Sequence, residues 1–168
     1  VAPGVTTGEI DDLVVEYCKK HNVKASFYKY AGFPGHLCVS INDEVVHGIP
    51  DRNRVIMPGD LVKTDVGIFK DGFNGDTSRT VMLGVIDPEV IRLVETTKQC
   101  LKAGIAACGP GVHLGDVGYA IQQVAEGLHG LHDAGRAAGV VVGRGTGMAQ
   151  VAQQQDLPVG LAGQEGRD

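Results

Sequence analysis

Apolar and polar positions change their period several times along this chain, and each change marks an element. After Thr6 and Thr7, either of which suits a helix cap, Glu9, Asp11 and Asp12 put negative charge where a helix N-terminus favours it. Ile10, Leu13, Val14, Tyr17 and Cys18 then recur on one helical stripe, which predicts a helix over roughly Thr7 to His21. From Ala31 to Pro50 the helical period is lost. Leu37 to Ile41, the pair Asn42-Asp43 and then Glu44 to Val46 read as a hairpin, because Asn and Asp tolerate tight-turn geometry. A second hairpin is written more strongly: Asp60 to Phe69 and Phe73 to Leu83 are strand-like runs around Lys70-Asp71-Gly72, and Asp-Gly is a strong turn signal. Asp87 followed by Pro88 opens another helix, with Ile91, Val94, Leu101 and Ile105 as its predicted apolar stripe. Gly109-Pro110-Gly111 stops it, and a shorter helix over about Leu114 to Glu126 carries Val117, Ala120, Ile121 and Val124 at helical spacing.

Beyond that point the pattern fails. Of the 42 residues from Gly127 onward, 10 are Gly and none is aromatic, Lys or Ile. Such a segment has few large side chains to offset ordering entropy, so residues 127–168 are expected to be an irregular tail behind a structured part of residues 1–126.

Composition narrows the function classes. A chain of 168 residues is the size of one domain, and its net charge of −5 comes from interspersed signs without a basic run. That argues against a nucleic-acid groove or an anionic membrane surface as direct partner. No apolar stretch approaches the roughly 20 residues of a spanning helix, and no secretory signal opens the chain, so a soluble, cytoplasmic protein is expected. Cys18, Cys38, Cys100 and Cys108 form no C-x-x-C pair and read as reduced thiols. Val1 stands where an initiating Met would, which suggests a processed or partial chain.

The most informative local feature is the pair Asp65 and Asp76, one on each arm of the second hairpin. If Asp71 and Gly72 are the central turn residues, Asp76 faces Gly67 and lies diagonal to Asp65; if the turn shifts by one residue, the two aspartates face each other. Both registers keep the carboxylates on one face, within about 5 to 8 Å. Asp65 also sits among Leu61, Val62, Val66 and Ile68, where an unpartnered carboxylate is costly. Two divalent ions about 3.5 to 4 Å apart would compensate such a pair and activate a water. A solvated sheet end, or bonds from Thr77 and Ser78 to Asp76, would explain the same pair without metal.

Pro58-Gly59-Asp60-Leu61-Val62, Thr64-Asp65-Val66-Gly67 and Asp71-Gly72-Phe73-Asn74-Gly75-Asp76-Thr77-Ser78 resemble the motif of the pita-bread metallopeptidases in which two aspartates bind both metals. Upstream, Val39-Ser40-Ile41-Asn42 and Glu44-Val45-Val46-His47-Gly48-Ile49-Pro50 are similar to the methionine aminopeptidase segment ending in a histidine that contacts the scissile amide. The resemblance covers about residues 2–126 and implies an α/β fold, one half of a pita-bread architecture with an antiparallel sheet packed against helices. It implies Asp65 and Asp76 as metal ligands, His47 as the catalytic histidine, and Tyr30, Phe33 and Cys38 as the lining of a pocket for the methionine side chain. The implied activity is removal of the initiator methionine from nascent chains, in the cytoplasm and near the ribosome, with Co, Mn, Fe or Zn at a dinuclear site.

Ala31 and Asn74 stand where many members have histidine, which touches substrate contacts and not the metal. His21, His36, His113, His129 and His132 read as structural or tail residues. The family's later ligands, a histidine in a Gly-His-Gly setting and two glutamates, find no counterpart after Glu126, so weak metal binding and impaired catalysis are expected. Read one base forward, the codons of Gly127 to Gly130 permit Gly-Tyr-Thr-Val, and those of Gly147 to Ala152 permit Glu-Trp-His-Lys-Ser-Pro, both similar to what the family has next. An out-of-frame tail is therefore the expectation held beside an irregular one. The alternatives are a non-enzymatic homologue that binds protein or ribosome partners, and a prolidase or proline-specific aminopeptidase of the same fold.

Overall fold

Thr6 starts the first helix with a reciprocal cap. Its Oγ1 accepts from the Glu9 N–H at 3.2 Å, and the Glu9 carboxylate accepts from the Thr6 N–H at 2.7 Å. The computed structural model, which describes residues 1–127, shows α1 over Thr7–His21, ended by Asn22 in the left-handed region. Of the predicted stripe, Ile10 and Cys18 are buried and Val14 is half-buried, whereas Leu13 and Tyr17 lie on the open side. Thr7 is the first helical residue, and its hydroxyl is locked to the Asp51 backbone in both directions.

Four strands follow: β1 (Lys24–Ala25), β2 (Cys38–Ile41), β3 (Leu61–Lys70) and β4 (Phe73–Met82). β3 is central, paired antiparallel with β4 along its whole length and with β1 and β2 along its other edge. Asp71 (φ 50°) and Gly72 (φ 87°) form a two-residue turn with both φ positive, the geometry whose twist matches paired strands. This turn fixes the register, so Gly67 pairs with Asp76 and Asp65 with Ser78.

The first predicted hairpin does not form. β2 pairs with β3, and Glu44–Val46 leave the sheet. Asn42 takes φ 55°, and the Glu44 carboxylate folds back to accept the Ile41 N–H at 2.8 Å and an Arg54 guanidinium N–H at 2.6 Å. A side chain thus takes the backbone donor that a partner strand would have used.

The sheet has two different faces, because side chains alternate along each strand. Val39, Ile41, Val62 and Val66 pack with Ile10 and Val14 of α1 and with Leu37 and Ile56 into the main core. On the opposite face, Leu61 and Met82 receive α2 (Pro88–Ala107) through Leu93, Val94 and Val90. Asp87 caps α2, accepting from the Glu89 N–H at 2.9 Å, with Pro88 in the first turn as expected. Its buried side differs from the predicted stripe: Leu93, Val94, Thr96, Cys100 and Gly104 are inside, while Ile91 and Ile105 are exposed and Leu101 is partly exposed. The helix must meet the sheet with one end and α3 (Leu114–Gly127) with the other, and the groove at Gly104 takes Ile121 and Val117. The expectations placed on the tail after residue 127, including its frame and His129 and His132, lie outside the described residues.

Candidate functional site

α2 covers only the Leu61 and Met82 end of its face. Farther along the same face, by strand alternation, come Asp65, Gly67, Ser78 and Asp76, with Cys38 directly opposite Asp65 on β2. The turn at Asp71-Gly72 therefore sets the two carboxylates diagonally across one ladder. Asp65 is half-buried and Asp76 exposed. Burial first, then the negative charge of Asp76 and a hydrogen bond with it, push the Asp65 carboxyl up to about 7.

Cys38 is 4% exposed and stands at the centre of the group. Desolvation, followed by Asp65 and Asp76, raises its thiol to about 11, against a hydrogen bond from the His47 backbone. The sulfur is therefore neutral at physiological pH and behaves as a small apolar surface, not as a nucleophile. The same interaction shows that His47 arrives at Cys38. His47 is exposed, with φ 60°. Of the six residues singled out in the sequence, Cys38, Asp65 and Asp76 thus share one face of the sheet, and the His47 backbone comes to Cys38.

Tyr30 and Phe33 are placed less directly. They belong to the short 3₁₀ turn Tyr30–Gly32 and its end, held by bonds from the Tyr30 N–H to the Phe27 carbonyl (3.0 Å) and from the Phe33 N–H to the Tyr30 carbonyl (2.9 Å). Tyr30 is 75% exposed, so its ring does not form an enclosed wall here. Phe27 is the aromatic that touches the carboxylate face, and the sequence reading missed it: a Cβ built on Gly67 would stand 3.0 Å from its ring. The Ser26 hydroxyl, donating to Asn74 Oδ1 at 2.8 Å, and the Ser26 N–H, donating to the Gly67 carbonyl at 2.8 Å, tie this segment over β3 and β4. The usable signal was the glycine in the middle of a strand, a mark of close approach.

The remaining histidines within the described residues have structural surroundings. His36 bonds Asp11 at 2.9 Å and stacks on Tyr28, His21 packs on Tyr17, and His113 lies 3.5 Å from Asp116. All four cysteines are unpaired. Among the described residues no group of three or more His, Cys, Asp or Glu side chains is arranged so that it could hold a metal ion. The donor set at Asp65 and Asp76 nevertheless fits a hard divalent cation: two carboxylate groups share one face, and burial with the neighbouring negative charge disfavours the charged form of Asp65, a penalty that a cation would offset. Among the same residues, no helix is long and apolar enough to cross a membrane.

Comparison with known proteins gives this geometry a family. The model of Metallopeptidase family M24 matches residues 1–163. Methionine aminopeptidase A of Synechocystis sp. is 44% identical over 126 residues, 75% of this chain and 50% of that protein. Methionine aminopeptidase of Clostridium acetobutylicum is 40% identical over 124 residues, 74% of this chain and 50% of that protein. Methionine aminopeptidase of Thermotoga maritima superposes with a TM-score of 0.72 at 39% identity, covering 76% of this chain and 51% of that structure. The chain therefore spans about half the length of the relatives it matches. Prolidase from Pyrococcus furiosus, at 21% identity and a TM-score of 0.63, shares the fold alone. Metallopeptidases require a metal, and the pita-bread half with its antiparallel sheet and helices is the architecture these structures share. This chain belongs to metallopeptidase family M24.

Proposed function

We propose that this chain carries the carboxylate half of a methionine aminopeptidase site and serves removal of the N-terminal methionine from newly made polypeptides, in the cytoplasm and near the ribosome. The observation that supports this reading is the diagonal placement of Asp65 and Asp76 on one face of the β3–β4 ladder, with Cys38 opposite Asp65 and the His47 backbone at Cys38. Asp65 and Asp76 are the metal ligands, and the ion is Co, Mn, Fe or Zn. A divalent ion held there supplies Lewis acidity and an activated water nucleophile. His47 presents an imidazole to the scissile amide. Cys38, kept neutral, offers an apolar sulfur to the thioether of the substrate, with Tyr30 and Phe33 on the neighbouring turn. Identity near 40% to methionine aminopeptidases, against 21% to the prolidase, favours this reading over a proline-directed one.

Two carboxylates hold an ion loosely, since affinity falls with ligand number and preorganisation. The catalytic geometry is correspondingly demanding, because a misplacement of about 1 Å can cost roughly a hundredfold in rate. Binding weaker than micromolar is expected when the chain is titrated calorimetrically with Mn²⁺, and it is lost in Asp76→Ala. Release of methionine from a Met-Ala-Ser peptide stays at background for the chain alone. It appears when the C-terminal half of a family enzyme is fused to residue 126, and Asp76→Ala removes it. Submicromolar Mn²⁺ affinity, or chelator-sensitive turnover by the unmodified chain, would overturn the limited-site part of this reading.

A further inference from the structure

The His47 backbone comes to Cys38 without a strand to hold it. Glu44–Val46 are outside the sheet, and His47 itself has φ 60°, a conformation that a residue with a side chain keeps only when its surroundings impose it. The restraint comes one residue later. The Gly48 N–H donates to Ser40 Oγ at 3.0 Å, and the Gly48 carbonyl accepts from the Val39 N–H at 2.9 Å. A Cβ on Gly48 would stand 2.1 Å from the Val39 carbonyl oxygen, so the segment lies with its backbone directly on the edge of β2. Ser40 is 2% exposed, and Gly48 is also buried. In register, Ser40 is opposite Lys63 as Cys38 is opposite Asp65, which puts the Ser40 and Cys38 side chains on the same face as Asp65.

We propose that Ser40 is a positioning residue whose buried hydroxyl clamps Gly48 to β2 and thereby aims His47 at the face bearing Asp65 and Asp76. The role of the imidazole itself rests on the function proposed above. Serine suits the task because its oxygen is short enough to stay inside the strand layer and still accept at the strand edge. Alanine would leave the Gly48 N–H buried without its acceptor, a loss that drives local opening. The clamp also accounts for the contact between the His47 backbone and the Cys38 thiol, since Gly48 fixes the residue before it.

Amide exchange and NMR contacts on the chelator-treated chain test the clamp without metal. In Ser40→Ala, exchange at Gly48 and His47 accelerates about tenfold or more, and the contact between the His47 amide and Cys38 weakens, while β3 and β4 keep their protection. Ser40→Thr retains the hydroxyl and restores both. With Mn²⁺ added at matched occupancy, paramagnetic broadening of the His47 ring falls in Ser40→Ala, a change that general loosening of the fold would not confine to His47. Should Ser40→Ala fail to fold, Gly48→Ala displaces the same segment by collision with Val39 and is expected to give the same loss with Ser40 intact. A folded Ser40→Ala chain with unchanged exchange and an unchanged contact at His47 overturns the inference. Mn²⁺ broadening absent from the unmodified chain counts instead against the metal reading, and the clamp then stands or falls on the metal-free contact.

Discussion

Asp76 lies diagonal to Asp65 across the β3–β4 ladder, with Gly67 as its direct partner. This offset lets both carboxylates point from one face without their strands pairing them head on, and it leaves Asp65 the more buried of the two. Its carboxyl is raised to about 7 as a result.

The raised carboxyl gives the metal-free chain a pH dependence of unusual sign. A group whose folded value lies above its unfolded value contributes stability that is fully present below the unfolded value, about 3.9 for Asp, and lost as pH rises through the folded one. Between pH 5.5 and 8, thermal melts in chelator should therefore show stability falling as pH rises. Asp65→Asn should flatten this trend and leave the chain equally or more stable at pH 8. Glu9 and Glu44 have lowered values, so their contributions are present throughout that window and are lost only in more acid solution. Loss of several degrees on Asp65→Asn at pH 8 would contradict the repulsion argument.

Gly67→Ala should cost about 1 to 3 kcal/mol, because its Cβ would stand 3.0 Å from both the Phe27 ring and the Ser26 Cβ. Phe27→Ala removes one of those neighbours. Denaturant titration of both single variants and the double variant should show a coupling of at least about 0.5 kcal/mol, the double being less destabilised than the sum. Strict additivity would mean that Phe27 moves aside freely.

Glu44→Ala should destabilise by about 1 to 3 kcal/mol by urea titration. The half-buried Arg54 guanidinium and the Ile41 N–H both lose their shared acceptor, and they stand 2.6 and 2.8 Å from it. Glu44→Gln keeps one acceptor oxygen and should recover part of the loss. An effect below about 0.5 kcal/mol for the alanine variant would assign the turn after β2 to other contacts.

At Gly104 the outcome should depend on size. An added Cβ lies 2.9 Å from Ile121 Cδ1, the flexible tip of a side chain, so Gly104→Ala trades that crowding against the roughly 1 kcal/mol that Ala gains over Gly in a helix. Its stability should fall within about 1 kcal/mol of the unmodified chain. Gly104→Val wedges branched methyls between α2 and α3 and should raise amide exchange along α3 while β3 and β4 stay protected.

Some of this molecule was legible in the order of its residues, because the deciding interactions are local. Asp71-Gly72 supplies two positive φ angles in succession, and that alone closes the hairpin, sets the register and puts Asp65 and Asp76 on one face. Thr6 with Glu9, and Asp87 with Pro88, start α1 and α2 through bonds that span no more than three residues. Tertiary structure decided the rest. Whether Glu44–Val46 joined a strand depended on Arg54, ten residues away, and on β3 claiming β2 from the other side. The buried side of α2 was chosen by Leu61, Met82 and Ile121, so Leu93, Cys100 and Gly104 went in and Ile91 and Ile105 stayed out. Phe27 over Gly67 joins residues far apart in sequence, and Ser40 with Gly48 joins residues on either side of an irregular loop, pairs whose residue types alone predict no contact. Turns and caps are settled by neighbours along the chain, whereas burial is settled by whichever distant surface fits, and a periodicity contains no information about that partner.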